Sequence, residues 1–162
     1  MRSPTMFPAA FKTIALVASV SASTIVAASW KATLDPVEGS GISGESTVTP
    51  DNAMPMRDTT APRTEGGLMA RISIKGAKAN DSLAWHVHSG TCGSANAPVV
   101  GKDSDYAPIT VGANGEGSAH ANVSTRLEPN GQYIVNVHKS VTDHTVVSCG
   151  ALRSDGVTPD TR

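Results

Sequence analysis

Short segments in which apolar and polar side chains alternate dominate the chain after Trp30. In residues 68–74, apolar side chains fall on one face, and Met69, Arg71 and Ser73 fall on the other. A period of two residues indicates a β-strand with one buried face. No helical period stands out beyond Trp30, so this part of the chain is predicted to be built from strands.

Seven further segments are predicted to be strands: 83–88, 132–138 and 145–149, with weaker patterns at 30–34, 44–49, 107–111 and 118–123. Turn-forming pairs, Asn80-Asp81, Asn114-Gly115 and Asn130-Gly131, separate several of them. An aromatic content of only 4%, with 15 glycines and 10 prolines, also favours short strands and many turns. The predicted fold class is all-β, an antiparallel sandwich or flattened barrel of about eight strands.

The first 29 residues differ from the rest. Arg2 and Lys12 are their only charged side chains, and an apolar run follows over residues 13–29 with small residues near Ala22 and Ala28. This pattern predicts a secretory signal peptide, and an uncleaved membrane anchor is the alternative. Either interpretation places the domain of residues 30–162 outside the cytosol, in the periplasm or secreted.

The net charge and the cysteine content limit which partners and which cellular compartment are expected. The formal net charge is −1, so there is no basic surplus to neutralise phosphates, and nucleic acid is not expected as a partner. The chain has two cysteines, Cys92 and Cys149. In an oxidising compartment such a pair most simply forms one disulfide, and two free thiols are the alternative.

The densest chemistry lies in the segment WHVHSGTCGS, residues 85–94. His86 and His88 point to the same face of a strand, with Cα atoms about 6.5 Å apart from the rise per residue. Two imidazoles at that spacing can share a metal ion, and His138, at the end of another apolar strand, is a candidate third ligand. Neutral imidazoles suit copper first and zinc second. The competing interpretation is a solvated histidine pair on an exposed strand.

These motifs resemble those of the copper/zinc superoxide dismutase family. The order is SIKG (73–76), HVH (86–88), GTC (90–92), NVHKSVTD (136–143) and VSCG (147–150), and the resemblance covers residues 30–152. It implies a Greek-key β-sandwich, with the three named histidines as copper ligands and Cys92 and Cys149 as the disulfide. Many members of the family dimerise, so a homodimer is one assembly that the resemblance implies.

The chain also departs from the family pattern. The family carries its metal-bridging histidine and its zinc ligands between the first cysteine and the next turn, but residues 93–113 contain no histidine. Asp103 and Asp105 remain there, and carboxylates without imidazole make a poor zinc site. Val146 stands where the family has the arginine that attracts superoxide, and Arg153 is not expected to reach the site. The resemblance therefore implies copper without zinc, and weak dismutase activity or none.

Two other histidines have separate interpretations. His144 is a candidate fourth ligand or proton donor, with a solvent-facing loop position as the alternative. His120, on a different predicted strand, is expected to lie on the surface.

Two classes of function follow. The first is an extracytoplasmic copper protein, either a weak dismutase acting on superoxide or a carrier of copper ions. The second is a non-catalytic accessory subunit of a membrane complex that keeps only the dismutase fold, because a fold does not determine a function. In that case residues 13–29 would anchor it, and the proline-rich segment 50–67 would be a docking segment.

Overall fold

The structure is a computed structural model that describes residues 29–51, 66–128 and 130–155. Within those ranges it has nine strands and one short 3-10 helix, Asp103–Asp105. The strands are β1 Trp30–Pro36, β2 Ser43–Pro50, β3 Leu68–Lys75, β4 Ser82–Leu83, β5 Trp85–Ser89, β6 Ile109–Val111, β7 Gly117–Val123, β8 Tyr133–His138 and β9 Val146–Ser154. Nearly all of the predicted leader and most of the segment 50–67 lie outside the described residues. Within the described ranges, no helix is long and apolar enough to cross a membrane.

All strand pairs are antiparallel, in the order β4-β6-β7-β3-β2-β1-β9-β8-β5. The two strands at the ends of this order, β4 and β5, are joined in the chain through Ala84 alone, so the sheet curls until its edges nearly meet. The backbone N–H of His138 donates to the carbonyl of Ala84 at 2.8 Å, so the pairing of β8 with β5 continues to the residue that joins β4 and β5. The predicted all-β flattened barrel is confirmed.

Each of the eight predicted strands is present, but the described residues form nine strands because one predicted strand is divided in two. The predicted strand 83–88 is divided into β4 and β5 at Ala84, because the two parts pair with different neighbours, β6 and β8. The last strand also extends beyond its predicted end to Ser154, because β9 has β1 on one side and β8 on the other.

Alternation along the strands builds the hydrophobic core. In β3, Leu68, Ala70, Ile72 and Ile74 are buried as predicted, and the residues between them are exposed or half-buried. The strands β5 and β8 differ, since nearly all of their residues are buried on both faces. One face of each contributes apolar side chains to the core, and the other face lies beneath loops.

The disulfide predicted between Cys92 and Cys149 is present, with the two Cα atoms 6.0 Å apart. Cys149 is buried in β9, where it pairs with Asn136 of β8. Cys92 lies in the loop that follows β5. The bridge therefore ties this loop to the same sheet that carries the candidate histidines, and a disulfide is consistent with an oxidising, extracellular environment.

Replacing both cysteines with serine is expected to lower the free energy of unfolding by about 4 kcal/mol, because the bridge restricts a loop of 57 residues in the unfolded chain. Urea unfolding of the Cys92→Ser/Cys149→Ser protein beside the wild type measures the difference. Reduced wild type should match the double variant. An oxidised wild type that is no more stable than the reduced form would contradict the expectation.

Candidate metal centre

The pairing of β5 with β8 brings the three predicted histidines together. In the antiparallel register His86 lies opposite Asn136, and His88 lies opposite Ile134. His138 follows Asn136 by two residues and so shares its face of the sheet. All of these side chains project from the face of β5 and β8 that is turned away from the hydrophobic core.

The three histidines form one compact group. Their ring centroids are 5.2 Å apart for His86 and His138, and 5.7 Å apart for each pair that includes His88. One ring nitrogen of each lies within 4.8 Å of the others, so the group could hold a metal ion. Their exposed fractions are only 5–7%. The competing interpretation, a solvated pair on an exposed strand, does not describe these side chains.

Backbone carbonyls orient two of the rings. Nδ1 of His88 donates to the carbonyl of Ala97 at 2.7 Å, and Nδ1 of His138 donates to the carbonyl of His144 at 2.9 Å. A carbonyl can only accept, so the proton resides on Nδ1 and the lone pair on Nε2. Both Nε2 atoms are buried without a hydrogen-bond partner. Metal-binding histidines are oriented in this way, with one nitrogen held by an acceptor and the other free to coordinate.

Burial keeps the rings neutral at neutral pH. It lowers the pKa of His86 from 6.5 to about 4, with a further lowering by neighbouring His138. Burial also lowers the pKa of His88 and of His138, although the carbonyl contacts and the charge of Asp103 act in the opposite direction. A neutral imidazole presents a lone pair, so a metal ion would not have to displace a proton from these rings.

The aromatic ring of Tyr106 packs against His86, the one histidine of the group whose ring is not oriented by a backbone carbonyl in the hydrogen bonds described above. It packs edge-on against His86, with ring centroids 5.1 Å apart, and against Trp85 at 5.2 Å. Its hydroxyl donates to the carbonyl of Val100 at 2.8 Å, which anchors the ring in the hydrophobic core beside His86. Sequence reasoning missed Tyr106, because nothing in the local pattern places this loop residue against a strand some twenty positions earlier.

A cavity of about 310 Å³ leads to the histidines. It is lined by His86, His88, Ser94, Asn96, Ala97, Val99, Asp103, Asn136, His138, His144 and Val146. Asp103 is the one carboxylate among these lining residues, and none of them is lysine or arginine. The cavity therefore has an anionic group at its exposed side and no cationic side chain among the described residues that line it.

The remaining candidates divide between the cavity and other surfaces. His144 is exposed and lies beside the group, with its ring centroid 5.4 Å from that of His138 and 6.3 Å from that of His86. Val146, the position of the expected arginine, lines the cavity. Arg153 pairs with Lys31 on the β1–β9 side and does not line it.

Asp105 and His120, which were also singled out from the sequence, do not line the cavity. The carboxylate of Asp105 accepts the backbone N–H of Lys102 at 3.0 Å and so caps the short 3-10 helix. His120 is exposed on β7, opposite Arg71 of β3, in agreement with its predicted surface position.

The metal-free protein is expected to lose stability as the pH falls from about 6.5 to about 4. Histidines in the unfolded chain bind protons near 6.5, whereas buried His86 binds one only near pH 4. Between these values the unfolded state holds more protons, so acid favours unfolding. Urea unfolding across this range measures the slope. The His86→Asn variant should show a shallower loss and His120→Asn should match the wild type, whereas equal slopes for all three proteins would contradict the assignment.

No protein-family model and no curated protein sequence matches this chain. The geometry of the described residues is the evidence for a group that could hold a metal ion.

Proposed function

We propose that this chain is an extracytoplasmic copper-binding protein of the superoxide-dismutase type. The observation that carries the proposal is the buried group of His86, His88 and His138, whose ring nitrogens lie within 4.8 Å of one another. The resemblance of the HVH and VHK motifs to copper ligands points to the same three residues. The disulfide supports a location in an oxidising compartment.

Copper suits this group better than other common divalent metals. Imidazole nitrogens bind copper and zinc, and cupric ion stands above zinc in affinity for a given set of nitrogen ligands. The rings of His88 and His138 are already oriented by backbone carbonyls, so little ordering would be needed on binding. Exposed His144 adds a candidate fourth ligand at the mouth of the cavity.

The charges around the cavity favour copper handling over rapid dismutation. Copper, when bound, supplies one-electron redox chemistry. Superoxide is an anion, and the described lining offers the carboxylate of Asp103 and no cationic side chain to attract it. The same carboxylate attracts metal cations. His144 lines the cavity beside the three candidate ligands, and residues 93–113 have no histidine, so His144 is the candidate proton donor if dismutation does occur.

The alternative is a non-catalytic accessory subunit of a membrane complex that retains the fold alone. In that case the histidines would be a remnant without a metal, and the partner would be a membrane protein. No described residue points to such a partner. This alternative becomes the better account if the protein takes up no copper.

Copper titration followed by electron paramagnetic resonance tests the proposal. The wild type should develop a nitrogen-rich type 2 cupric signal, because three imidazoles would coordinate the ion. The His86→Ala/His138→Ala protein should lack this signal, and His120→Ala, which removes an exposed histidine elsewhere, should retain it. A wild-type protein that binds no copper at micromolar excess would contradict the proposal. Metal content of the protein isolated from its native source checks whether copper is bound there.

Introducing a cation at Val146 is expected to increase superoxide dismutation by copper-loaded protein. Val146→Arg should raise the rate by about tenfold or more at low ionic strength, because the guanidinium would attract the anion into the cavity. Added salt should remove most of the gain. Val141→Arg is the matched control, since Val141 is 48% exposed and does not line the cavity. An equal gain in both variants would mean that overall charge, not the cavity, sets the rate.

A further inference from the structure

Asn136 lies beside the histidine group on the same face of β5 and β8. It is opposite His86 in the pairing of β5 with β8, and it precedes His138 by two residues on the same face. Side chains directly opposite each other in an antiparallel pair have Cβ atoms about 5 Å apart. Asn136 lines the cavity and is only 6% exposed. Its carboxamide therefore belongs to the wall against which a metal ion would sit.

The amide oxygen of this residue has no partner. Within the described ranges, three buried side-chain atoms lack a hydrogen bond, and they are Oδ1 of Asn136 and the Nε2 atoms of His88 and His138. All three residues line the same cavity. Burying a polar atom without a partner is costly, and asparagine is also disfavoured within strands. An apolar side chain would suit this position better if packing alone mattered.

We propose that Asn136 is an oxygen donor of the metal centre and selects the cupric over the cuprous ion. This inference rests on the copper site proposed above and names one more group in it. Three buried lone-pair donors of residues that line one cavity have no partner, and a divalent cation held there would satisfy all of them at once. An amide oxygen is a hard donor, so it favours the divalent ion, whereas the cuprous ion prefers softer ligands.

The test compares two replacements of Asn136 in the full chain. Asn136→Leu removes the oxygen at similar size, and Asn136→Asp keeps an oxygen. The leucine variant should bind cupric ion about tenfold to a hundredfold more weakly, with a much smaller change for cuprous ion. Its metal-free form should have a higher urea midpoint than the wild type, because a buried unpaired polar group is gone. The aspartate variant should retain cupric affinity and lose metal-free stability.

Ile134→Val serves as the packing control, because Ile134 is on the same face of β8 and is 1% exposed. It should cost some stability and leave cupric affinity unchanged. A leucine variant that binds cupric ion as tightly as the wild type, or that is less stable without metal, overturns the inference. So does an aspartate variant that loses affinity as leucine does. Failure of the wild type itself to bind copper would instead overturn the proposed function.

Discussion

The register between β5 and β8 is the constraint on which the site depends. With His86 opposite Asn136, the side chains of Asn136 and of the three histidines point away from the core, and the residues between them, such as Val87 and Val135, point into it. Because side chains alternate with a period of two, a slip of one residue would turn the histidines into the core and expose the valines. The hydrophobic core therefore holds the face that carries the histidine group in position at the same time as it stabilises the barrel.

A layer of loops then converts this face into a site. The carbonyls of Ala97 and His144 come from two different loops, one after β5 and one between β8 and β9, and each accepts the Nδ1–H of one histidine. The disulfide ties the loop after β5 to β9, which limits how far this cover can open. Covering the rings removes them from water and lowers their pKa values, so the group is neutral and short of hydrogen-bond partners. A metal ion would bind the lone pairs of these neutral rings and so supply the missing partners.

How much was predictable differs between the barrel and the site. The strand around Ile72 was predictable because one of its faces is in contact with the core and the other with water, which leaves alternation in the sequence. The segment around Ala84 was less predictable, because the division into two strands depends on which neighbours pair with each part. Tyr106 and Asn136 were not identified, because their roles come from contacts with residues distant in the chain. The histidine pair was found from its spacing, but its burial was not, since a solvated pair has the same spacing.

The sequence by itself determined the all-β class, the candidate ligands His86, His88 and His138, and the pair of cysteines available for one bridge. These follow from residue type and from periods that each strand carries locally. Only the tertiary structure decided that the three histidines are buried together, that Asn136 lies among them without a partner, and that Asp103 is the carboxylate at the mouth. The physical reason is that burial, orientation and the local field are properties of the packed sheet and its covering loops, which bring together groups that no local pattern connects.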